Sequence, residues 1–252
     1  MKTKKQRWYR RWNLDITKED VIEKIRLTSA PAMYTKMVLD GPYAPDDCDD
    51  LIGRDLFFEG EGKTYSFRQE GLHKLLFSEQ NGPELECYVQ IRTLDQEIYY
   101  INHLVPGAET ARQISLVADL VTGYATICDA HIGTPNSNRD VEREFIFGRL
   151  KGDFKNGQPH HFTEDLLGKA IIWDYGDDGP EIKHIYNSNL FYTYMMGSPN
   201  GAWVATNPAD YIKIREDVYL FSFVEERQPG IQTTLLMYLD RMHDIGSCFG
   251  LG

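Results

Sequence analysis

The chain has 252 residues, 26% of them charged and 42% hydrophobic, enough to build one large core or two smaller ones. Its formal charge of −11 is uneven: residues 1–26 hold nine Lys/Arg against four Asp/Glu, leaving about −16 on the rest. That acidic body argues against a nucleic-acid surface, and the absence of any run near 18 apolar residues argues against a membrane span.

Residues 1–48 read as a basic N-terminal tail, a helix and a covering segment. Thr17 and Asp20 resemble an N-cap with an acid in the first turn, and Val21, Ile22 and Ile25 mark one face of a helix to about Thr28. Pro31, Pro42 and Pro45 punctuate the covering segment. Over 49–133 the pattern predicts strands at 55–58, 64–68, 72–77, 84–92, 97–104, 114–120 and 124–130, joined by links too short for crossover helices. Residues 134–162 are polar and read as a linker with a helix. Over 163–252 strands are predicted at 170–175, 181–186, 190–195, 202–204, 211–214, 218–225, 233–239 and 244–249.

The two strand-rich stretches repeat each other. DDLIGRDLFF at 49–58 answers EDLLGKAIIWDY at 164–175 at an offset of 115. EIYYINHL at 97–104 answers DVYLFSFV at 217–224 at 120, and SLVADL at 115–120 answers TLLMYL at 234–239 at 119. Three ordered recurrences at nearly constant spacing indicate an internal duplication. The expected fold is therefore mainly β, two antiparallel units, with an up-and-down barrel preferred because it removes exposed edges and a two-sheet sandwich as the alternative.

Strand parity selects the candidate site. Tyr219, Phe221, Phe223 and Glu225 share one face, and Ile171, Trp173 and Tyr175 share another. Facing inward, they make an aromatic cavity with one carboxylate and one phenol, suited to holding a small organic molecule or moving a proton within it. Tyr194 completes the predicted lining. The duplication places His103 opposite Phe223, an interior base in the first unit or a satisfied core histidine. His160-His161 near Glu164 and Asp165 lack a third ligand and a zinc spacing, so no metal is expected. GxGxxG after a strand, GxxxxGK[ST] and GxSxG are all missing, and no cofactor is expected. Cys48, Cys87, Cys128 and Cys248 form no CxxC and read as reduced thiols, and the basic start has no signal-like apolar segment after it. Both favour a cytoplasmic location.

ISLVADLVTGYAT at 114–126, TEDLLGKAIIWDY at 163–175, IKHIYNSNLFYTY at 182–194, DVYLFSFVEE at 217–226 and FG at 249–250 carry a resemblance to the MoaF family. That family is named for molybdenum cofactor biosynthesis, and the resemblance covers roughly 49–252. It implies tandem calycin or lipocalin-type barrels, with units at 49–133 and 163–252. The second unit is similar, more distantly, to phenolic acid decarboxylases, cofactor-free calycin barrels acting on para-hydroxycinnamic acids. Their Gly…Ile-Tyr-x-Tyr motif corresponds to Gly168…Ile172-Trp173-Asp174-Tyr175, and their Ser-Trp-x-Glu motif to Ser222-Phe223-Val224-Glu225. This implies Glu225 and Tyr175 as catalytic groups, with Trp173, Tyr194, Phe223 and Trp203 around the ligand. Their Gly-Arg-Trp motif becomes Gly201-Ala202-Trp203, so the arginine that positions the substrate carboxylate is replaced. The expected function is small-molecule binding in a calycin-type cavity associated with molybdenum cofactor biosynthesis. The alternatives are a cofactor-free lyase or isomerase and a structural or partner-binding protein; the oligomeric state is left open.

Overall fold

A computed structural model describes residues 45–108, 111–132, 141–174, 181–198, 201–225 and 230–250, with backbone alone at 197, 198 and 201–203. The predicted tail and N-terminal helix lie outside the described residues. Eight strands make a closed antiparallel barrel: β1 (Asp55–Gly60), β2 (Lys63–Gly71), β3 (Lys74–Glu79), β4 (Leu85–Arg92), β5 (Ile98–Leu104), β6 (Ala111–Asp119), β7 (Tyr124–Ile132) and β8 (Val141–Leu150). After β9 (His161–Phe162), a second sheet runs in order through β10 (Ala170–Asp174), β11 (Glu181–Ile185), β12 (Phe191–Ser198), β13 (Gly201–Arg215), β14 (Val218–Val224), β15 (Ile231–Tyr238) and β16 (His243–Gly250). The result is the expected mainly β, duplicated, calycin-like architecture.

The repeated sequence motif has a physical role. In each unit it forms a tight turn before the first strand, with Arg54 N–H bonding Leu51 O at 2.9 Å and Lys169 N–H bonding Leu166 O at 3.0 Å. Gly53 and Gly168 hold φ of 80° and 79°, a left-handed conformation that glycine adopts without steric cost. The turns place Leu51 and Leu166 in the cores of their units, 2% and 0% exposed. Burying such a side chain contributes about 1.5–3 kcal/mol.

Two stretches differ from the sequence reading. Residues 141–150, expected within a linker and helix, form β8, which pairs with β7 and closes the first barrel against β1 at Phe58↔Leu150. Buried Val141, Arg143, Phe145, Ile146 and Leu150 come from a run too charged to read as a strand. The predicted strands at 202–204 and 211–214 are one strand, β13, whose first half pairs with β12 and whose second half pairs with β14. Pro208 stands at that changeover, where β13 exchanges one neighbour for the other and a missing N–H is tolerated.

The second sheet packs back on the first barrel. Tyr219, Phe221 and Phe223 of β14 point to their own unit's core, as parity predicts. Leu220 and Val224, on the opposite face, are buried against first-unit residues such as Ile98, Tyr100, Ala130 and Ile132. Polar pairs sit inside this interface: Tyr100 Oη lies 2.6 Å from Ser247 Oγ, and Arg143 Nη2 donates to Asp210 Oδ2 at 2.8 Å. At the edge, Arg215 Nη2 donates to Asp119 Oδ1 at 2.6 Å, which with two backbone N–H groups holds that carboxyl below its usual range despite burial.

Candidate functional site

β10, β12 and β14, with the end of β11, place a belt of rings on the inner face of the second sheet. Trp173, Tyr186, Tyr192, Tyr194, Phe221 and Phe223 belong to one core cluster, and His184 of β11 lies among them. Ring centroids stand 5.1 Å from His184 for Tyr192, 5.7 Å for Phe221, 6.4 Å for Trp173 and 6.5 Å for Phe223. Burial alone depresses the His184 imidazolium to about 3, so the ring is neutral, one nitrogen donating and the other accepting. Its buried Nδ1 has no partner, and neither does Trp173 Nε1. The indole is near enough to favour the Tyr186 phenolate without meeting full hydrogen-bond geometry.

The duplication supplies an internal control. Register pairs Phe58, Phe77, His103 and Leu116 of the first unit with Trp173, Tyr194, Phe223 and Leu235 of the second. The first four are 0–1% exposed, whereas the second four are 6%, 8%, 9% and 8% exposed. These four second-unit positions keep a few per cent more exposure than their first-unit counterparts, while Tyr186, Tyr192 and Phe221 beside them are fully buried.

Two differences produce that contrast. β8 occupies the seam between β1 and β7, where Gly60 and Gly148 let backbones meet so closely that a Cβ on Gly148 would lie 2.4 Å from Glu59 O. Among the described residues no strand fills the corresponding place between β10 and β16. The mouth of the first barrel is also plugged by Arg112, which grips Asp129 at 2.7 and 2.8 Å and Glu79 at 2.6 Å. Burial opposes ionisation of Asp129, but His131 and Arg112 prevail and hold its carboxyl at about 2. By register the second unit has Ile231, Cys248 and Met196 where Arg112, Asp129 and Glu79 stand. Among the described residues no ionic plug stands there.

Glu225 follows β14 at that mouth. Its N–H bonds Ile231 O at 2.8 Å, and Asn207 Nδ2 donates to its Oε2 at 3.2 Å. Asn207 is fully buried on β13, a positioning group that parity did not single out. Trp173, Tyr194 and Phe223 thus share one inner face. Tyr175 and the Trp203 side chain lie outside the described residues; the Trp203 backbone pairs with Met196. His103 occupies the sealed interior, its Nδ1 3.1 Å from Leu104 O, and burial lowers it to about 4. It and Phe67 are exchanged in the second unit for Phe223 and His184, with ring separations of 6.1 and 6.5 Å. His160 Nδ1 meets Thr126 Oγ1 at 2.9 Å while His161 Nδ1 meets Pro159 O at 2.8 Å, so the adjacent imidazoles engage separate partners. Among the described residues no three His, Cys, Asp or Glu side chains group as metal ligands, and no helix is long and apolar enough to cross a membrane.

The sequence reading missed Asp244. It pairs with Met237 across β15 and β16, and Met237 belongs to the inner cluster, so Asp244 faces inward too. Its charge reaches both Tyr186 and Cys248. Desolvation raises its carboxyl to about 7, and Oδ2 is buried with no hydrogen-bond partner. The signal available in the sequence was parity: Asp244, Gly246 and Cys248 alternate with buried Ile245, Ser247 and Phe249. No curated protein matches the chain. Residues 160–252, which carry β9 to β16 and every group of this inner face, match the MoaF C-terminal domain family.

Proposed function

We propose that the second unit binds a small organic molecule against the inner face of its open sheet. The observation that carries this reading is the contrast in accessibility between equivalent positions, 0–1% in the first unit and 6–9% in the second. Aromatic walls supply apolar area, and Trp173 Nε1 and His184 Nδ1 are polar groups that a ligand can satisfy. Trp173, Tyr194 and Phe223 are the proposed lining, joined by Trp203 from the start of β13. The family match over 160–252 supports an association with molybdenum cofactor biosynthesis, for which the family is named. Four unpaired cysteines support a reducing, cytoplasmic setting.

A second reading, a cofactor-free lyase or isomerase, draws on Glu225 at the mouth with Asn207 holding its carboxylate. There Glu225 would transfer the proton and the Tyr175 phenol would be its companion. Native mass spectrometry of the gently purified protein, with a metabolite-turnover screen run beside Glu225→Gln, separates the two. A binder keeps the same retained ligand in both proteins. An enzyme shows turnover that the variant loses by about 10²–10⁴-fold. A protein that retains no ligand and turns over nothing in the screen overturns both readings.

A further inference from the structure

We propose that the inner face of the second unit selects a cationic, nitrogen-bearing aromatic ligand, with Asp244 as its counter-ion. This rests on the small-molecule reading above and adds the ligand's charge. Acidic groups, Asp244 and Glu225, flank the inner face. Among the described residues Lys213 is the ammonium with inward parity; register puts it in one row with Asp244 through Tyr219 and Met237, and Asp165 and Glu216 engage it, each at 2.8 Å. Between the acids stand electron-rich faces of Trp173, Tyr192, Tyr194 and Phe223, which attract a cation through the ring quadrupole. Among the described residues an anionic ligand would meet two carboxyls and no uncommitted cation, only the neutral His184 ring and the Trp173 N–H, in an interior where unpaired charge is costly.

Asp244 is the better-placed partner because its Oδ2 is buried without a hydrogen bond, whereas Glu225 already receives Asn207. Among the described residues the titratable groups that feel the Asp244 charge are Tyr186, just after β11, and Cys248, two turns of pleat along β16. Both are pushed up by burial and remain neutral at working pH. From β15 its neighbour is Met237, which does not titrate. A bound ammonium therefore supplies the positive charge that Asp244 lacks, and binding couples to ionisation of that carboxyl.

Three probes of one shape test the inference by calorimetry on the full chain: 2-naphthylmethylamine, 2-naphthylmethanol and 2-naphthylacetate. At pH 8 the amine should bind about tenfold more tightly than the alcohol, with the acetate weakest. The advantage should shrink toward pH 5.5 as Asp244 takes up its proton, and Asp244→Asn should abolish it. An amine no tighter than the alcohol, or an acetate tighter than either, overturns the proposal while leaving small-molecule binding intact. Loss of preference in Glu225→Gln with retention in Asp244→Asn overturns the choice of counter-ion. If none of the three binds, the small-molecule reading falls and this inference falls with it. The ranking and pH dependence of the parent decide the matter even if a variant folds poorly.

Discussion

Asp244→Asn should stabilise the protein at alkaline pH and leave it unchanged at acid pH. The carboxyl is raised from 3.8 to about 7 by desolvation, with no neighbouring charge among the causes. Below pH 3.8 the folded and unfolded states both hold the proton, and ionisation costs nothing. Between 3.8 and about 7 the folded state keeps a proton that the unfolded chain releases, so stability falls as pH rises, by up to about 1.4 kcal/mol per pH unit. Above about 7 the penalty is complete, roughly 4 kcal/mol at full ionisation. Asparagine has nearly the same shape and never ionises. Urea unfolding of parent and variant at intervals from pH 4 to pH 8 isolates this one group, because every other titration is common to both. The two should coincide near pH 4 and separate by roughly 2–4 kcal/mol at pH 8, with the variant more stable. A difference independent of pH, or a parent more stable than the variant at pH 8, would refute the interior placement of the carboxyl.

The interface and the repeated turn give two further tests. Asp210→Asn removes the negative charge facing Arg143, whose side chain is 1% exposed, and should cost about 3–5 kcal/mol in urea unfolding. A loss below about 1 kcal/mol would mean that the interface admits water. Gly53→Ala and Gly168→Ala force a left-handed residue where nothing else obstructs a Cβ, so each should cost about 1–2 kcal/mol through backbone strain alone. Equal losses are expected from two copies of one turn, and a neutral result at either site would break the equivalence.

What the sequence determined by itself was local and periodic. The recurrence of Leu-x-Gly at 51–53 and 166–168 revealed the duplication because a left-handed glycine turn that buries a leucine constrains both residue types. Period-two alternation put Tyr219, Phe221 and Phe223 on one face and Trp173 with Ile171, and the structure keeps those groupings. Tertiary structure decided the rest, because it depends on which strand lies beside which. β8 was hidden in a charged run whose Arg143 is buried only because Asp210 of the other unit faces it, 67 residues away. The opposite face of β14 is buried against the first barrel, a partner that parity within one strand does not name. His184 was not singled out within its motif and Asp244 lay in none, and what marks them comes from neighbours that burial supplies: rings around one, an absent partner for the other. Above all, the sequence shows two similar units, while the structure leaves Trp173, Tyr194, Phe223 and Leu235 of the second slightly more exposed than their counterparts in the first. In the first barrel one strand fills a seam and one arginine plugs a mouth, and among the described residues neither is present at the corresponding places in its repeat.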